Sequence, residues 1–381
     1  MKLLIIGNGF DLAHDLPTSY GDFLNFVNEF SQYYVHGEQY EHGSYHDFIK
    51  SIDGTPVFNE IEKHINTSGR LLMYFLSIYK DRIQADKKGW IDFEKELSVI
   101  VQTLEQAKTI YDEQRYDGSV NLPKPIGAII HELLLIREGV GTYKFPDEFE
   151  DGRADELLDG LNRITRLLEI YLVEYVEKQK IKKRLPGMEE FSHILSFNYT
   201  DTYQRLYDPD CRANYCYIHG KASKKSTLDD CNLVLGINEH LDQWQRDDEN
   251  QFVWFKKFYQ RIYKGTGSEY RNWFDDFEEM YGHVAEQYPG EFMNEVHIFG
   301  HSLDVTDKDI LARLITEKLT ETIIYYRDKP DLAKKIENLV KVIGEDDLIK
   351  RTGGNNQSIR FVEIGKERPE NRKTTIEELL E

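Results

Sequence analysis

The chain has 381 residues, 68 of them acidic and 48 basic, for a formal net charge of −20. A surface that negative repels a phosphate backbone, which excludes an extended nucleic-acid footprint while leaving room for a local anion pocket. The three cysteines, Cys211, Cys216 and Cys231, form no C-x-x-C pair, so a four-cysteine zinc site and a disulfide framework are excluded and a reducing, cytoplasmic compartment is expected.

Lys2–Ile6 is a short apolar run ending at Gly7, the pattern of a central strand in a parallel sheet. The run is too short for a signal peptide, and no stretch reaches the roughly 18 apolar residues of a membrane span. A loop is predicted through Pro17, then a helix from Tyr20, capped by Ser19 with Asp22 as its capping-box partner. Up to about residue 190 the periodicity is helical, over Ile61–Lys80, Trp90–Leu104, Ile126–Arg137 and Ala154–Lys183. Within the last of these, Leu157, Leu161, Ile164, Leu167 and Leu168 make one apolar stripe.

Strand patterns return at His193–Phe197, Tyr215–Ile218, Leu233–Leu235, Val296–Phe299, Thr322–Tyr326 and Arg360–Val362. Helical stretches lie between them, near Thr200–Tyr207, Gln251–Tyr263, Phe274–Glu286, Asp307–Lys318 and Pro330–Val342. This alternation predicts an α/β fold with a doubly wound, mostly parallel sheet. The expected organisation is a discontinuous α/β domain over 1–30 and 190–365, a helical insertion over 31–189 and a charged tail over 366–381. In such sheets ligands bind at the carboxyl ends of the strands, where the strand order reverses.

Four polar clusters follow predicted strands. Gly7-Asn8-Gly9-Phe10-Asp11 offers two glycines for a sharp turn and for close approach of a ligand to backbone N–H groups, which suits a diphosphate. It lacks the third glycine of the dinucleotide fingerprint and the Lys-Ser or Lys-Thr of a P-loop. Asp11 suits a ribose hydroxyl or a short helical cap. In Ser196-Phe197-Asn198-Tyr199-Thr200-Asp201, the Asn198 carboxamide can both donate and accept at a ribose, while Thr200 and Asp201 also suit a helix cap. His219-Gly220 places an imidazole where it can act as a general base. Gly300-His301-Ser302-Leu303-Asp304 offers small residues and donors for a ribose or phosphate, and capping accounts equally well for Asp304 and Asp307. His297 and His301 fall on a strand and its turn, so a helical metal pair is disfavoured and no metal is expected.

These clusters, in this order, resemble the sirtuin-like superfamily of NAD-handling domains. Gly7–Gly9 is similar to its glycine turn, Phe197–Asp201 to its Asn-containing ribose motif, His219-Gly220 to its His-Gly pair and Gly300–Leu303 to its Gly-x-Ser-Leu turn. The run Ile5–His14 with Leu16–Tyr20 resembles more closely the opening of the AbiH family of bacterial abortive-infection proteins, as do Trp90, Asp92, Phe93 and Glu94, and Gly300–Leu303 with Asp307. The resemblance implies an anti-phage protein that binds NAD and hydrolyses it, releasing nicotinamide. It places Gly7–Gly9 at the diphosphate, Asn198 and Asp201 at the nicotinamide-side ribose and His219 as the base. Asn8, Phe10, Asp11, Thr200, Gly220, Gly300, His301, Ser302 and Asp304 complete the nucleotide-binding set. The chain departs from deacetylating sirtuins in having no four-cysteine module, and Asn8, Phe10 and Asp11 stand where small residues are usual. Cleavage of the nicotinamide bond needs ribose positioning and charge stabilisation, with no metal. The helical insertion suits a lid, a sensor or a homo-oligomer contact. Two other readings stand beside this one. The first is a nucleotide-sensing module without turnover. The second is a nuclease toxin, for which Glu363-Ile364-Gly365-Lys366 has one residue too many between acid and base.

Overall fold

The computed structural model describes residues 1–40, 43–86, 93–114, 119–121, 142–144, 153–181, 183–237, 252–287, 292–354 and 357–366, with single positions at 126, 129 and 133. Among these the strands are β1 (Lys2–Ile6), β2 (Ser119–Asn121), β3 (Thr142–Lys144), β4 (His193–Ser196), β5 (Asn214–Tyr217), β6 (Asn294–Phe299), β7 (Thr320–Tyr326) and β8 (Ile359–Glu363). The chain divides into two units. One comprises Met1–Leu16, Lys180–Lys221 and Gly265–Glu381, and the other Pro17–Gln179 and Ala222–Lys264. Compared with the expected insertion over 31–189, the second unit also takes in residues 17–30 and Ala222–Lys264.

The first unit holds a six-stranded sheet in the order β5-β4-β1-β6-β7-β8, with every adjacent pair parallel. Counted along this sheet alone, the order is 3-2-1-4-5-6, the doubly wound arrangement whose direction reverses beside β1. Successive residues of β1 enter two different cores. Leu3 and Ile5 pack with Ile310, Leu314 and Leu339, from the helices Lys308–Thr316 and Lys329–Ile343. Leu4 and Ile6 pack with Phe10, Phe191, Tyr203 and Tyr207. Helices thus cover both faces, which is why β1 reads as an unbroken apolar run rather than an alternating one. Each fully buried Leu or Ile there contributes about 2 kcal/mol.

Expectations are corrected in both units. The loop predicted after Gly7 is a helix, Asn8–Ala13, that begins at once with Gly7 as its N-cap; the Phe10 N–H donates to Gly7 O at 2.8 Å and closes the first turn. Leu233–Leu235 is buried but forms no strand. The N–H and carbonyl of Leu235 are both taken by the Gln260 side chain, at 3.1 and 2.9 Å, leaving nothing for a ladder.

The second unit is built from the helices Tyr20–His36, His46–Ile52, Pro56–Thr67, Gly69–Asp86, Phe93–Gln114, Arg153–Glu174 and Lys257–Lys264, with β2 and β3 as a small antiparallel pair. The Ser19–Asp22 capping box forms at the start of Tyr20–His36. The periodicity over Ile61–Lys80 spans two helices, because Gly69 adopts φ +64° and breaks the run. Gly160 is required where Arg153–Glu174 meets the preceding break, since a Cβ there would lie 2.8 Å from Ser68 O. Arg166 in that helix is buried between Glu169 and Glu60, at 2.6 and 2.9 Å. Most of the predicted helix Ile126–Arg137, Trp90, Asp92 and the tail Glu367–Glu381 lie outside the described residues. Among the described residues no helix is long and apolar enough to cross a membrane.

Candidate functional site

The loops after β1, β4, β5 and β6 leave the same edge of the sheet, because the four strands are parallel neighbours. The turn after β1 closes against the turn after β6. Gly7 N–H donates to Phe299 O at 3.1 Å and Gly9 N–H to Gly300 O at 2.9 Å. A Cβ on Gly9 would lie 2.8 Å from Gly300 Cα, and one on Gly7 would lie 2.8 Å from His301 Cα. Gly300 itself sits at φ +69°, with the Phe10 backbone nitrogen where its Cβ would be. These glycines therefore have a packing reason of their own: they let two backbone turns touch. Phe10, expected at a ligand, is fully buried in the core, with its ring 5.9 Å from Phe299 and 4.6 Å from His14. His14 is an anchor. Its Nε2 meets the Tyr207 hydroxyl at 2.8 Å and its Nδ1 meets Phe10 O at 2.7 Å, and burial lowers its pKa.

Asp11 and Asn198 form the centre of the site. Asp11 is 1 % exposed. Its Oδ2 accepts from the Thr200 hydroxyl at 2.6 Å, and Thr202 donates in turn to Thr200 at 3.1 Å. Burial pushes the Asp11 carboxyl up to about 6, against smaller opposing effects from Thr200, Thr202, Arg205 and Asn198. Asp11 Oδ1 and both carboxamide atoms of Asn198 are buried without a hydrogen-bond partner among the described residues. The Asn198 backbone is fixed instead, its N–H bonded to Ser196 Oγ at 3.1 Å. Unsatisfied buried polar atoms cost roughly 1–3 kcal/mol each, and they are sites where a polar ligand relieves that cost.

Beside this pair, Asp201 starts the helix Thr202–Tyr207 without a side-chain capping bond. It pairs instead with Arg205 at 2.8 Å and Lys221 at 3.4 Å. Lys221 also lies over the Tyr217 ring, 5.4 Å from its centroid. A carboxylate flanked by two cations suits an anionic or hydroxyl-rich ligand. The i,i+4 spacing of Asp201 and Arg205 is visible in the sequence; Lys221 carries no comparable signal.

The two histidines meet at Asp307, a residue whose local sequence suits a cap and which also belongs to the AbiH-like pattern after β6. Asp307 Oδ1 lies 3.5 Å from His219 Nε2, and its Oδ2 lies 3.4 Å from His301 Nε2. All three side chains are buried. The Phe197 ring lies edge-on to both imidazoles, at 5.5 and 4.3 Å. The cap on this turn is Asp304, which accepts from Thr306 N–H at 3.1 Å. Ser302 Oγ accepts from Asp304 N–H at 3.4 Å. Gly220 holds φ +80° directly after His219. The turn over Gly300–Asp304 is fixed from the helix Lys329–Ile343: the Lys335 ammonium donates to His301 O at 2.6 Å and Asn338 Nδ2 to Ser302 O at 2.9 Å. Among the described residues no three His, Cys, Asp or Glu side chains are grouped to hold a metal ion.

No curated protein and no solved structure matches the chain. The family model described as "Bacteriophage abortive infection AbiH" matches residues 3–326, from the second residue of β1 to the last of β7, and takes in every cluster of the site. The chain belongs to the AbiH family, and with it to the proteins of bacteriophage abortive infection.

Proposed function

We propose that this protein binds a nucleotide at the carboxyl ends of β1, β4, β5 and β6 and hydrolyses NAD there, releasing nicotinamide as its part in abortive infection. One observation carries the reading. Three polar atoms, Asp11 Oδ1, Asn198 Nδ2 and Asn198 Oδ1, are buried and unpartnered at neighbouring strand ends, where a doubly wound sheet takes its ligand. A ribose diol supplies donors for the carboxylate and both functions for the carboxamide. His219 takes the proton of the attacking water, whose oxygen joins the ribose carbon as nicotinamide leaves. Asp201, with Arg205 and Lys221 beside it, holds the flanking part of the sugar. The glycine turn has a smaller part than the resemblance implies, because Gly9 N–H is held by Gly300. The alternative reading is a sensor that binds the nucleotide at the same residues without cleaving it.

The test is NAD loss and nicotinamide release by the purified chain, beside Asn198→Ala and His219→Ala. Turnover in the parent that falls on the order of 100-fold or more in each variant is expected. A thermal melt of each variant checks that the fold survives the substitution. Saturable binding without turnover replaces the hydrolase with the sensor; neither binding nor turnover refutes both.

A further inference from the structure

We infer that the site reads its ligand through the ribosyl end and leaves the phosphates unread, so that a nicotinamide nucleoside is as good a ligand as the dinucleotide. This rests on the nucleotide site proposed above and adds which part of the molecule carries the affinity.

The glycine turn has already committed donors that a diphosphate would need. Gly7 N–H donates to Phe299 O, Gly9 N–H to Gly300 O and Phe10 N–H to Gly7 O, at 3.1, 2.9 and 2.8 Å. Each backbone amide has one proton to give. The room that a glycine opens for a ligand is filled as well. A Cβ on Gly7 would lie 2.9 Å from Gly300 O, and one on Gly9 would lie 2.8 Å from the same atom. That carbonyl oxygen turns a partial negative charge towards the turn, which a phosphate avoids.

Charge points the same way. Arg205 lies 2.8 Å from Asp201 and also acts on Asp11, favouring its ionised form against the larger effect of burial. Lys221 lies 3.4 Å from Asp201. These two cations therefore face two carboxylates. Lys335 gives its ammonium to His301 O at 2.6 Å, with Asp331 at 3.8 Å. Asp304 and Asp307 follow on the turn after β6. A phosphate would thus arrive where the cations are already matched, in a chain of net charge −20, and be repelled.

The sugar meets the reverse. Of the buried open atoms, Asp11 Oδ1 and Asn198 Oδ1 accept, while Asn198 Nδ2 donates. Ribose hydroxyls both donate and accept; a phosphate dianion only accepts and would set its oxygens against two of those three atoms. The nicotinamide ring is cationic while joined to ribose, so nearby carboxylates attract it. When the bond from ring nitrogen to sugar carbon breaks, its electron pair neutralises the ring. The positive charge then passes to the sugar, beside Asp11 and Asp201.

The experiment compares probes that share one ribosyl end: nicotinamide riboside without phosphate, nicotinamide mononucleotide with one and NAD with a diphosphate. Binding to the full chain at pH 7.5 is followed by saturation-transfer NMR, with His219→Ala used in place of a parent that cleaves them. NAD should bind no more than about tenfold tighter than the riboside, whereas one charge-assisted phosphate contact is worth roughly 10- to 100-fold. Saturation should fall on the nicotinamide ribose protons rather than on adenine. NAD should bind no more weakly as salt rises from about 0.01 to about 0.1 M, which shortens the screening length from about 30 to about 10 Å. In Lys221→Gln the ratio of NAD to riboside affinity should match the parent, even where both bind less well. A larger preference for NAD, an affinity that falls with salt, saturation centred on adenine, or a ratio that Lys221→Gln shifts towards the riboside overturns the inference. Cleavage of NAD by a protein that ignores the riboside also overturns it and leaves the hydrolase reading standing. Equal binding without cleavage supports it and replaces the hydrolase with the sensor. No binding of any probe refutes both.

Discussion

Asp11→Asn should make the sheet unit more stable at neutral pH, a gain that vanishes in acid. The Asp11 carboxyl is raised from 3.8 to about 6 by burial, and one pH unit is worth about 1.4 kcal/mol. The folded state therefore holds its proton more tightly than the unfolded chain. Below about pH 4 both states are protonated and nothing is lost. As pH rises through the interval from about 4 to 6, the unfolded chain releases the proton first and stability falls. Above about 6 the full difference, about 3 kcal/mol, is missing from the folded protein. A carboxamide at the same place accepts the Thr200 hydroxyl without carrying charge, so it recovers up to that amount. Hydrogen–deuterium exchange of the β1 amides, followed by mass spectrometry across pH 4–8 after correction for intrinsic rates, reads the opening of this unit directly. The parent should become relatively less protected than the variant between pH 4 and 6, and the difference should level off above 6. An Asp11→Asn protein less protected than the parent at pH 7.5, or a difference that does not change with pH, refutes the burial argument. If the function proposed above holds, the more stable variant is also the less active one, since a charge kept at a cost to stability is kept for a ligand.

Gly300→Ala should destabilise the same unit by several kcal/mol, on the order of a severe core substitution. Its Cβ would overlap the Phe10 nitrogen and its φ of +69° is left-handed, so a thermal melt unchanged from the parent would show that the two turns do not touch. Of the three thiols, only the exposed Cys211 should react with iodoacetamide in the native protein at pH 7.5. Burial pushes Cys216 and Cys231 each up to about 12, so mass addition at either before unfolding would contradict their enclosure.

The α/β class was legible because β1 and β6 are apolar runs bounded by glycine turns, a pattern set by burial on both faces. The six strands of the parallel sheet were found for the same reason, within one or two residues at each end, while the three-residue strands β2 and β3 fall in a stretch read as helical. Leu233–Leu235 shows the limit of that signal: apolar character reports burial, while the distant Gln260 and Lys264 side chains occupy backbone groups that a ladder would need. The short helix Asn8–Ala13 was hidden by Asn8 and Gly9, poor helix formers, of which the contact with Gly300 requires Gly9. In the site, Asp11, Asn198 and Asp201 could be named because each follows a predicted strand. Asp307 could not be given its partners. A capping role satisfied the local sequence, and its meeting with His219 and His301 depends on the order of strands, which no local pattern encodes.

That strand order also sets a timetable for synthesis. Leu3 pairs with His193 on one side and Val296 on the other, so a strand inside the sheet is made before either of its neighbours. Its neighbours leave the ribosome roughly 190 and 290 residues later. At about 5–20 residues per second, β1 waits on the order of 10–40 s with both edges unpaired and its Leu-Leu-Ile-Ile run exposed to other chains. A cell making much of this protein at once carries a pool of nascent chains in which this apolar strand appears well before its partners. Its yield should therefore depend on whatever shields that amino-terminal strand during the wait.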